Sequence, residues 1–216
     1  MSGIFITLEG GEGTGKSTQA KILAEKLSAT GQEVILSREP GGSPLAERIR
    51  SLILSGEFKT NGPDIEAVMF AAARSDHMRC LVLPALERGA IVVCDRFFDS
   101  TTVYQTISGA DENLLKELRQ EATGGRFPDL TLILDVDSEI AGRRAALRRG
   151  EALPDRFESE GNIFHSKVRE GFRFIAKNEP ERCVMIDASG DQQVVETRIW
   201  EAVRDRIPQL GNLVFP

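Results

Sequence analysis

Five short apolar runs, at residues 4–8, 34–36, 91–94, 130–136 and 183–186, alternate along the chain with stretches of helical spacing. Runs that are apolar at nearly every position, not at every second one, belong to strands covered on both faces, and strands separated by helices pair in parallel. The pattern predicts an α/β chain with a five-stranded, mainly parallel sheet and helices on both faces. Crossovers between parallel strands are right-handed, so the loops leaving the strand carboxyl ends gather on one edge, where ligands bind in such sheets. The loops at Gly10, Arg38, Asp95 and Asp137 are expected to share that edge.

The intervening helices carry their own signals. Ala20, Leu23, Ala24 and Leu27 repeat at helical spacing, and Gly31 supplies a stop. Ser43 can cap a helix with Pro44 at its first position, whose predicted inner face is Leu45, Ile49, Leu52 and Ile53. From Asp64 a long helix runs through Val68, Met69 and Ala72 and is expected to bend or end before Pro84. Further helices are expected from about Ser138, Ile163 and Val194. The chain has no repeat and no linker-like segment, so residues 1–216 are expected to form one domain.

Composition removes several function classes. With 41% hydrophobic and 28% charged residues, the chain is neither disordered nor collagen-like. No apolar run approaches the length of a membrane span, and the first residues lack the pattern of a secretory signal, so no membrane partner is expected. A net charge of -6 argues against a nucleic-acid coat but leaves small phosphorylated ligands open. The three cysteines and two histidines have no metal-site or disulfide spacing, and a cytoplasmic setting is expected.

The strongest local signal is Gly10-Gly11-Glu12-Gly13-Thr14-Gly15-Lys16-Ser17, with Thr18 following, between the first predicted strand and the first predicted helix. Glycines let several backbone N–H groups turn towards one anion, and the helix N-terminus adds positive potential. Lys16 can reach the β- and γ-phosphates of a nucleoside triphosphate, and the Ser17 hydroxyl can ligate Mg²⁺. Asp95 ends the third strand, as a Walker-B carboxylate does, although a strand-end Asp can equally cap a helix or pair with a cation. A guanine-reading Asn-Lys-x-Asp is missing, and Asp187-Ala188-Ser189-Gly190 reads as a turn after the last strand.

A second set of residues suits a phosphorylated acceptor. Arg38 and Arg96 follow strand ends, where two guanidinium forks can hold a phosphate. Phe70 and Arg74 stand four residues apart on one helical face, as a stacking ring and a hydrogen-bonding fork require. Taken singly, such an Arg is usually a solvated charge and such a Phe belongs to a core.

Together the motifs resemble the bacterial thymidylate kinase family. They are Leu8-Glu9-Gly10-Gly11-Glu12-Gly13, Ser37-Arg38-Glu39-Pro40-Gly41-Gly42, Met69-Phe70-Ala71-Ala72-Ala73-Arg74, Asp95-Arg96-Phe97-Phe98-Asp99-Ser100 and Tyr104-Gln105, with Arg149-Gly150-Glu151 and Asp155-Arg156-Phe157-Glu158 as a lid at about 143–161. The resemblance implies a P-loop kinase fold, a homodimer, and synthesis of dTDP from dTMP and ATP with Mg²⁺. It implies that Phe70 stacks on thymine and Arg74 donates to O4. Ser100, Thr101 and Gln105 would lie at the acceptor and its base, and Tyr104 against the deoxyribose. Arg38 and Arg96 would hold the acceptor phosphate, and Glu12 would stand near the sugar hydroxyl or the metal. Ser17 and Asp95 would hold Mg²⁺.

Catalysis would fall to Lys16, Arg96 and a lid arginine, Arg149, with Arg144, Arg148 and Arg156 behind it and Arg143 on a solvated face. The chain departs from the family pattern at Phe97 in place of a tyrosine, at Thr106 in place of a glycine, and in a slightly longer lid at Ala152-Leu153-Pro154. Another nucleoside monophosphate or deoxynucleoside kinase would share the ATP half and differ at the acceptor, and a non-catalytic nucleotide switch would share the phosphate loop but would not need Arg38, Phe70, Arg74 and Arg96 together.

Overall fold

The computed structural model describes residues 3–149, 157 and 160–211, except for the side chains of Lys59, Arg148 and Arg149. In chain order the elements are β1 (Ile4–Glu9), α1 (Lys16–Ser28), β2 (Val34–Arg38), α2 (Pro44–Leu54), α3 (Pro63–His77), α4 (Leu83–Glu87), β3 (Ile91–Asp95), α5 (Phe98–Ile107), α6 (Glu112–Thr123), β4 (Leu130–Asp135), α7 (Ser138–Arg149), α8 (Asn162–Asn178), β5 (Cys183–Asp187), α9 (Gln192–Arg206) and α10 (Pro208–Gly211). The five strands form one parallel sheet in the order β2-β3-β1-β4-β5. Leu8, Asp95 and Arg38 stand level across β1, β3 and β2, so the loops that follow these strands start side by side.

Alternation along each strand divides the side chains between two cores. Ile6, Leu8, Ile91, Val93, Leu130 and Leu132 face Leu23 and Leu27 of α1 and Val195, Ile199 and Val203 of α9. On the other face Phe5, Val92 and Cys94 meet Met78, Val82, Leu86 and Phe98, while Ile133 packs with Val103, Val168 and Phe172. Burying each such side chain contributes about 2 kcal/mol, which is what holds helices on both faces of the sheet.

One helix differs from its predicted face. In α2 the buried positions are Ala46, Ile49 and Ile53, whereas Leu45 and Leu52 are 42% and 39% exposed. The inner stripe runs through the small Ala46, which lets α2 approach α3 closely, and counting only large residues misplaces it. In α3, Val68 and Ala72 are exposed, while Ala67, Ala71 and Arg74 are buried.

The expected bend before Pro84 is a wide helical turn over Met78–Val82, in which Leu83 N–H bonds Met78 O, five residues back. Widening the turn accommodates Pro84, which lacks an N–H and would crowd the preceding carbonyls of a regular helix. Thr106 is exposed within the unbroken helix α5, so no loop there calls for a glycine. Among the described residues no helix is long and apolar enough to cross a membrane.

Candidate active site

The phosphate loop is shaped by contacts that admit only glycine. A Cβ on Gly10 would stand 2.4 Å from Leu134 O, and one on Gly13 would stand 2.0 Å from Ala141 O. Both residues have positive φ, so the backbone is pressed between β4 and α7 in a conformation that other residues resist. The loop delivers the chain into α1, whose N-terminus faces the same edge. Lys16 folds back over the loop, donating to Gly11 O at 2.6 Å, and is only 6% exposed. Burial, reinforced by the nearby Arg96, lowers its pKa to about 8. Thr18 is exposed on the first turn of α1. The β4–α7 connection reaches this edge too: Val136 and Ser138 share a cavity of about 240 Å³ with Gly10 and Gly11.

Ser17 and Asp95 are hydrogen-bonded to each other. The Ser17 hydroxyl donates to Asp95 Oδ2, and Asp95 Oδ1 is buried without a hydrogen-bond partner. An orphaned carboxylate oxygen beside a hydroxyl is a hard donor set of the kind that suits Mg²⁺, with phosphate and water completing the shell. The described residues contain no cluster of three or more His, Cys, Asp or Glu side chains able to hold a metal by themselves. The donor set therefore fits a metal that arrives with a triphosphate.

Beside the loop lies a cavity of about 340 Å³. Arg38, Phe70, Arg74 and Arg96 line it, together with Ser100, Thr101, Tyr104 and Gln105 from α5. Glu12, Lys16, Ser17 and Asp95 form its wall on the side of the phosphate loop. The phosphate loop, Arg38 and Arg96 converge here because β1, β2 and β3 end level, and α3 and α5 close the remaining sides.

Each side chain has a definite setting. Arg96 has φ +69, the only non-glycine residue with positive φ among those described, and its guanidinium reaches Gly10 O, Ser100 Oγ and Glu12. That backbone conformation costs on the order of 1 kcal/mol and turns the side chain towards the phosphate loop. Arg38 is more exposed and pairs with Glu47 at 3.2 Å. Arg74 is buried, with Nε donating to Glu39 at 2.7 Å and Nη2 to Thr101 Oγ1 at 2.9 Å.

Phe70 is half-buried, its ring centroid 6.1 Å from that of Phe157. The Tyr104 hydroxyl is buried without a hydrogen-bond partner, while the Arg96 guanidinium carbon stands 5.4 Å from its ring centroid. Burial pushes the Tyr104 phenol up to about 12, so it stays protonated. Phe97, which replaces the family's tyrosine, is fully buried against Phe5 and Phe98, with the Arg74 guanidinium carbon 5.3 Å from its ring centroid.

Gln105 lines the cavity from α5. Its Nε2 donates to the buried Glu66 carboxylate at 3.0 Å, which fixes the orientation of the amide, and its Oε1 is buried without a partner. Two lining residues therefore hold hydrogen-bonding capacity that the protein does not use, the Arg74 guanidinium in part and Gln105 Oε1 wholly.

The lid arginines separate. Arg143 is a surface partner of Glu139 at 3.7 Å. Arg144, expected behind Arg149, instead donates to Ala188 O and Gly190 O and ties α7 to the turn after β5. Arg149 ends α7, but its side chain, that of Arg148, and Arg156 with the segment 150–156 lie outside the described residues. The sequence Asp187 to Gly190 is a turn, its carbonyls taken by Arg144 and Arg198.

Sequence reasoning missed the carboxylates beneath the site. Glu9 is fully buried and accepts from Phe97 N, Ser100 N and Ser100 Oγ, which ties the phosphate loop to the start of α5. Burial, with Asp99 adding to it, raises its pKa to about 7. Its signal was a lone acid at the end of an apolar strand. Asp99, also buried, is held bidentately by Arg182 at 2.7 and 2.8 Å.

This edge sets a phosphate loop beside an arginine-lined cavity, an arrangement that suits a triphosphate and a second phosphorylated ligand. The sequence model described as thymidylate kinase matches residues 8–199. Thymidylate kinase of Rhodopseudomonas palustris is 54% identical over 209 residues, 96% of this chain and 91% of that one. Thymidylate kinase of Nitrobacter winogradskyi is 52% identical over 94% of this chain and 89% of its own. The crystal structure of thymidylate kinase from Ehrlichia chaffeensis superposes with a TM-score of 0.74 at 33% identity, over 94% of this chain and 100% of that one. The chain belongs to the thymidylate kinase family.

Proposed function

We propose the following division of labour for the reaction of this family, phosphorylation of dTMP to dTDP by ATP in deoxythymidine nucleotide biosynthesis. The loop from Gly10 to Thr18 binds ATP, with Lys16 on the β- and γ-phosphates. Arg38 and Arg96 hold the acceptor phosphate, exchanging their carboxylate partners Glu47 and Glu12 for it. Ser17 and Asp95 would hold Mg²⁺, which would offset phosphate charge at the transferring group. Arg149 acts on that group from the lid at about 143–161. The acceptor needs no base from the protein, because a phosphomonoester is largely a dianion above a pKa near roughly 6.

The observation that carries this reading is the hydrogen-bond pattern of the cavity. Thymine presents an O4 acceptor and an N3–H donor, which match Arg74 and the orphaned Gln105 Oε1; cytosine presents the reverse at both positions. Phe70 supplies the stacking face, Ser100 and Thr101 flank the acceptor, and Tyr104 lies against the deoxyribose.

A coupled assay across nucleosides and nucleoside monophosphates tests it. dTMP is expected above dUMP, both far above dCMP, with thymidine inert. Turnover of thymidine would mean a deoxynucleoside kinase, and ATP hydrolysis indifferent to every acceptor would mean a nucleotide switch.

The reading includes a homodimer and a cytoplasmic setting for a chain of one domain. Leu45 and Leu52 of α2 and Ile65 and Val68 of α3 are 39–44% exposed on two helices packed together, an apolar face that supports self-association. Cys80, Cys94 and Cys183 are all free thiols, as a reducing compartment favours. Light scattering at micromolar concentration distinguishes dimer from monomer.

A further inference from the structure

Behind the acceptor cavity runs a chain of buried hydrogen bonds that no residue of the phosphate loop joins. Ser37 Oγ and His77 Nε2 are 2.7 Å apart, and His77 Nδ1 lies 3.0 Å from Glu39 Oε1. Glu39 Oε2 accepts from Arg74 Nε at 2.7 Å, and Arg74 Nη2 donates to Thr101 Oγ1 at 2.9 Å. His77 is fully buried, and Glu39 and Arg74 are 4% and 3% exposed.

Chemistry gives the chain a direction. A carboxylate paired with an arginine only accepts, so His77 Nδ1 carries the proton that faces Glu39, and Nε2 shares a hydrogen bond with the Ser37 hydroxyl. The loop after β2 is cut to fit this pair. A Cβ on Gly42, which has φ +85, would stand 2.5 Å from Ser37 Oγ and 2.6 Å from His77 Nε2.

A guanidinium has five N–H groups in one plane, and two of those on Arg74 are committed to Glu39 and Thr101. How the rest of the fork is presented to the cavity it lines depends on how firmly the Glu39 carboxylate is held. With Arg74 alone on it, that carboxylate could rotate. With His77 on its second oxygen, its plane is set from two residues one turn apart on α3 and from the β2 end at once. We propose that His77, oriented by Ser37, is a positioning residue for base selection, fixing the Arg74 fork through Glu39. The inference rests on Arg74 as the reader of O4 and adds the residues that make that reading selective.

The test compares dTMP with 4-thio-dTMP, in which a weak sulfur acceptor replaces O4 while N3–H is kept. The wild-type chain is expected to prefer dTMP by about tenfold in kcat/KM, the effect of about one good hydrogen bond. In His77→Leu that preference should shrink to about twofold or less through a higher KM for dTMP, with kcat kept. His77→Gln, whose amide N–H can replace the Nδ1 donor, should restore most of it. Ser37→Ala makes a gentler break in the same chain and should give a smaller loss in the same direction, so a His77→Leu chain that fails to fold does not end the test.

A folded His77→Leu or Ser37→Ala chain that keeps the wild-type preference overturns the inference. So does an equal rise in KM for both acceptors, which is what simple loosening of the pocket would produce. A wild-type chain indifferent to the O4 substitution removes Arg74 as the reader and the inference with it.

Discussion

The Ser17 hydroxyl donates to one oxygen of Asp95, and the other oxygen of that carboxylate is buried with no partner in the protein. The pair is an acceptor site with one position left over, placed where the loop and the third strand end together. Asp95→Asn keeps the shape and removes the charge. Turnover at a fixed low Mg²⁺ concentration is expected to fall about 100-fold, with partial recovery as Mg²⁺ is raised and dTMP affinity unchanged. A variant with the wild-type Mg²⁺ dependence would take Asp95 out of this role.

Lys16 makes ATP binding sensitive to pH. Burial sets its pKa at about 8 in the protein alone, and a triphosphate in contact with the ammonium raises it. Above pH 8 binding must therefore take up a proton, and ATP affinity should fall as pH rises, by at most about tenfold per unit. Calorimetry at pH 9 in two buffers of different ionisation enthalpy measures the uptake. Lys16→Met should abolish both the uptake and phosphoryl transfer.

Gln105 should act at the base. Gln105→Leu removes the acceptor for N3–H and is expected to lower kcat/KM for dTMP by about 1–3 kcal/mol of transition-state binding. Because the same substitution removes a clash of acceptors with cytosine, the ratio of dTMP to dCMP turnover should fall further than the dTMP rate alone. An unchanged ratio would assign base choice to other residues.

Glu9 affects stability in a defined pH window. Its folded pKa of about 7 lies above the ordinary value of 4.5, so the folded state binds the extra proton in between. Its contribution is full below pH 4.5 and is lost as pH rises through 7. The depressed carboxylates, Glu179 at about 2 among them, act in the opposite sense at lower pH. Thermal melts of the wild type should therefore decline by a few degrees, relative to Glu9→Gln, between about pH 5 and pH 8. Parallel curves would mean that Glu9 is ionised throughout.

What could be read from the sequence is what obeys a period or a backbone requirement. The five strands were visible because residues such as Val92 and Val93 are apolar on both faces, and the phosphate loop because Gly10 and Gly13 stand where no Cβ fits. Arg38 and Arg96 could be placed because parallel pairing brings the ends of β2 and β3 level. The tilt of α2 was not readable, because Ala46 rather than Leu45 makes the contact.

Glu9, Glu39 and Glu66 were invisible as well. Each is a buried acid whose partner lies 35 or more residues away, Glu39 with Arg74, Glu66 with Gln105 and Glu9 with Ser100. No local pattern records such pairings; they follow from the packing of α3 and α5 against the sheet.

The wide turn at Met78–Val82 has a consequence of its own. A helix advances about 100° per residue, so the one residue accommodated in that turn rotates everything after it by nearly a third of a revolution. Before the turn, Phe70 and Arg74 line the cavity; after it, Ala85 and Leu86 pack with Val92 and Cys94 of the sheet. The segment works as a phase shifter between a surface that selects a ligand and one that carries the fold. Substitutions within it should be tolerated according to size, but deletion of a single residue would restore a regular helix and turn one of those two surfaces out of register.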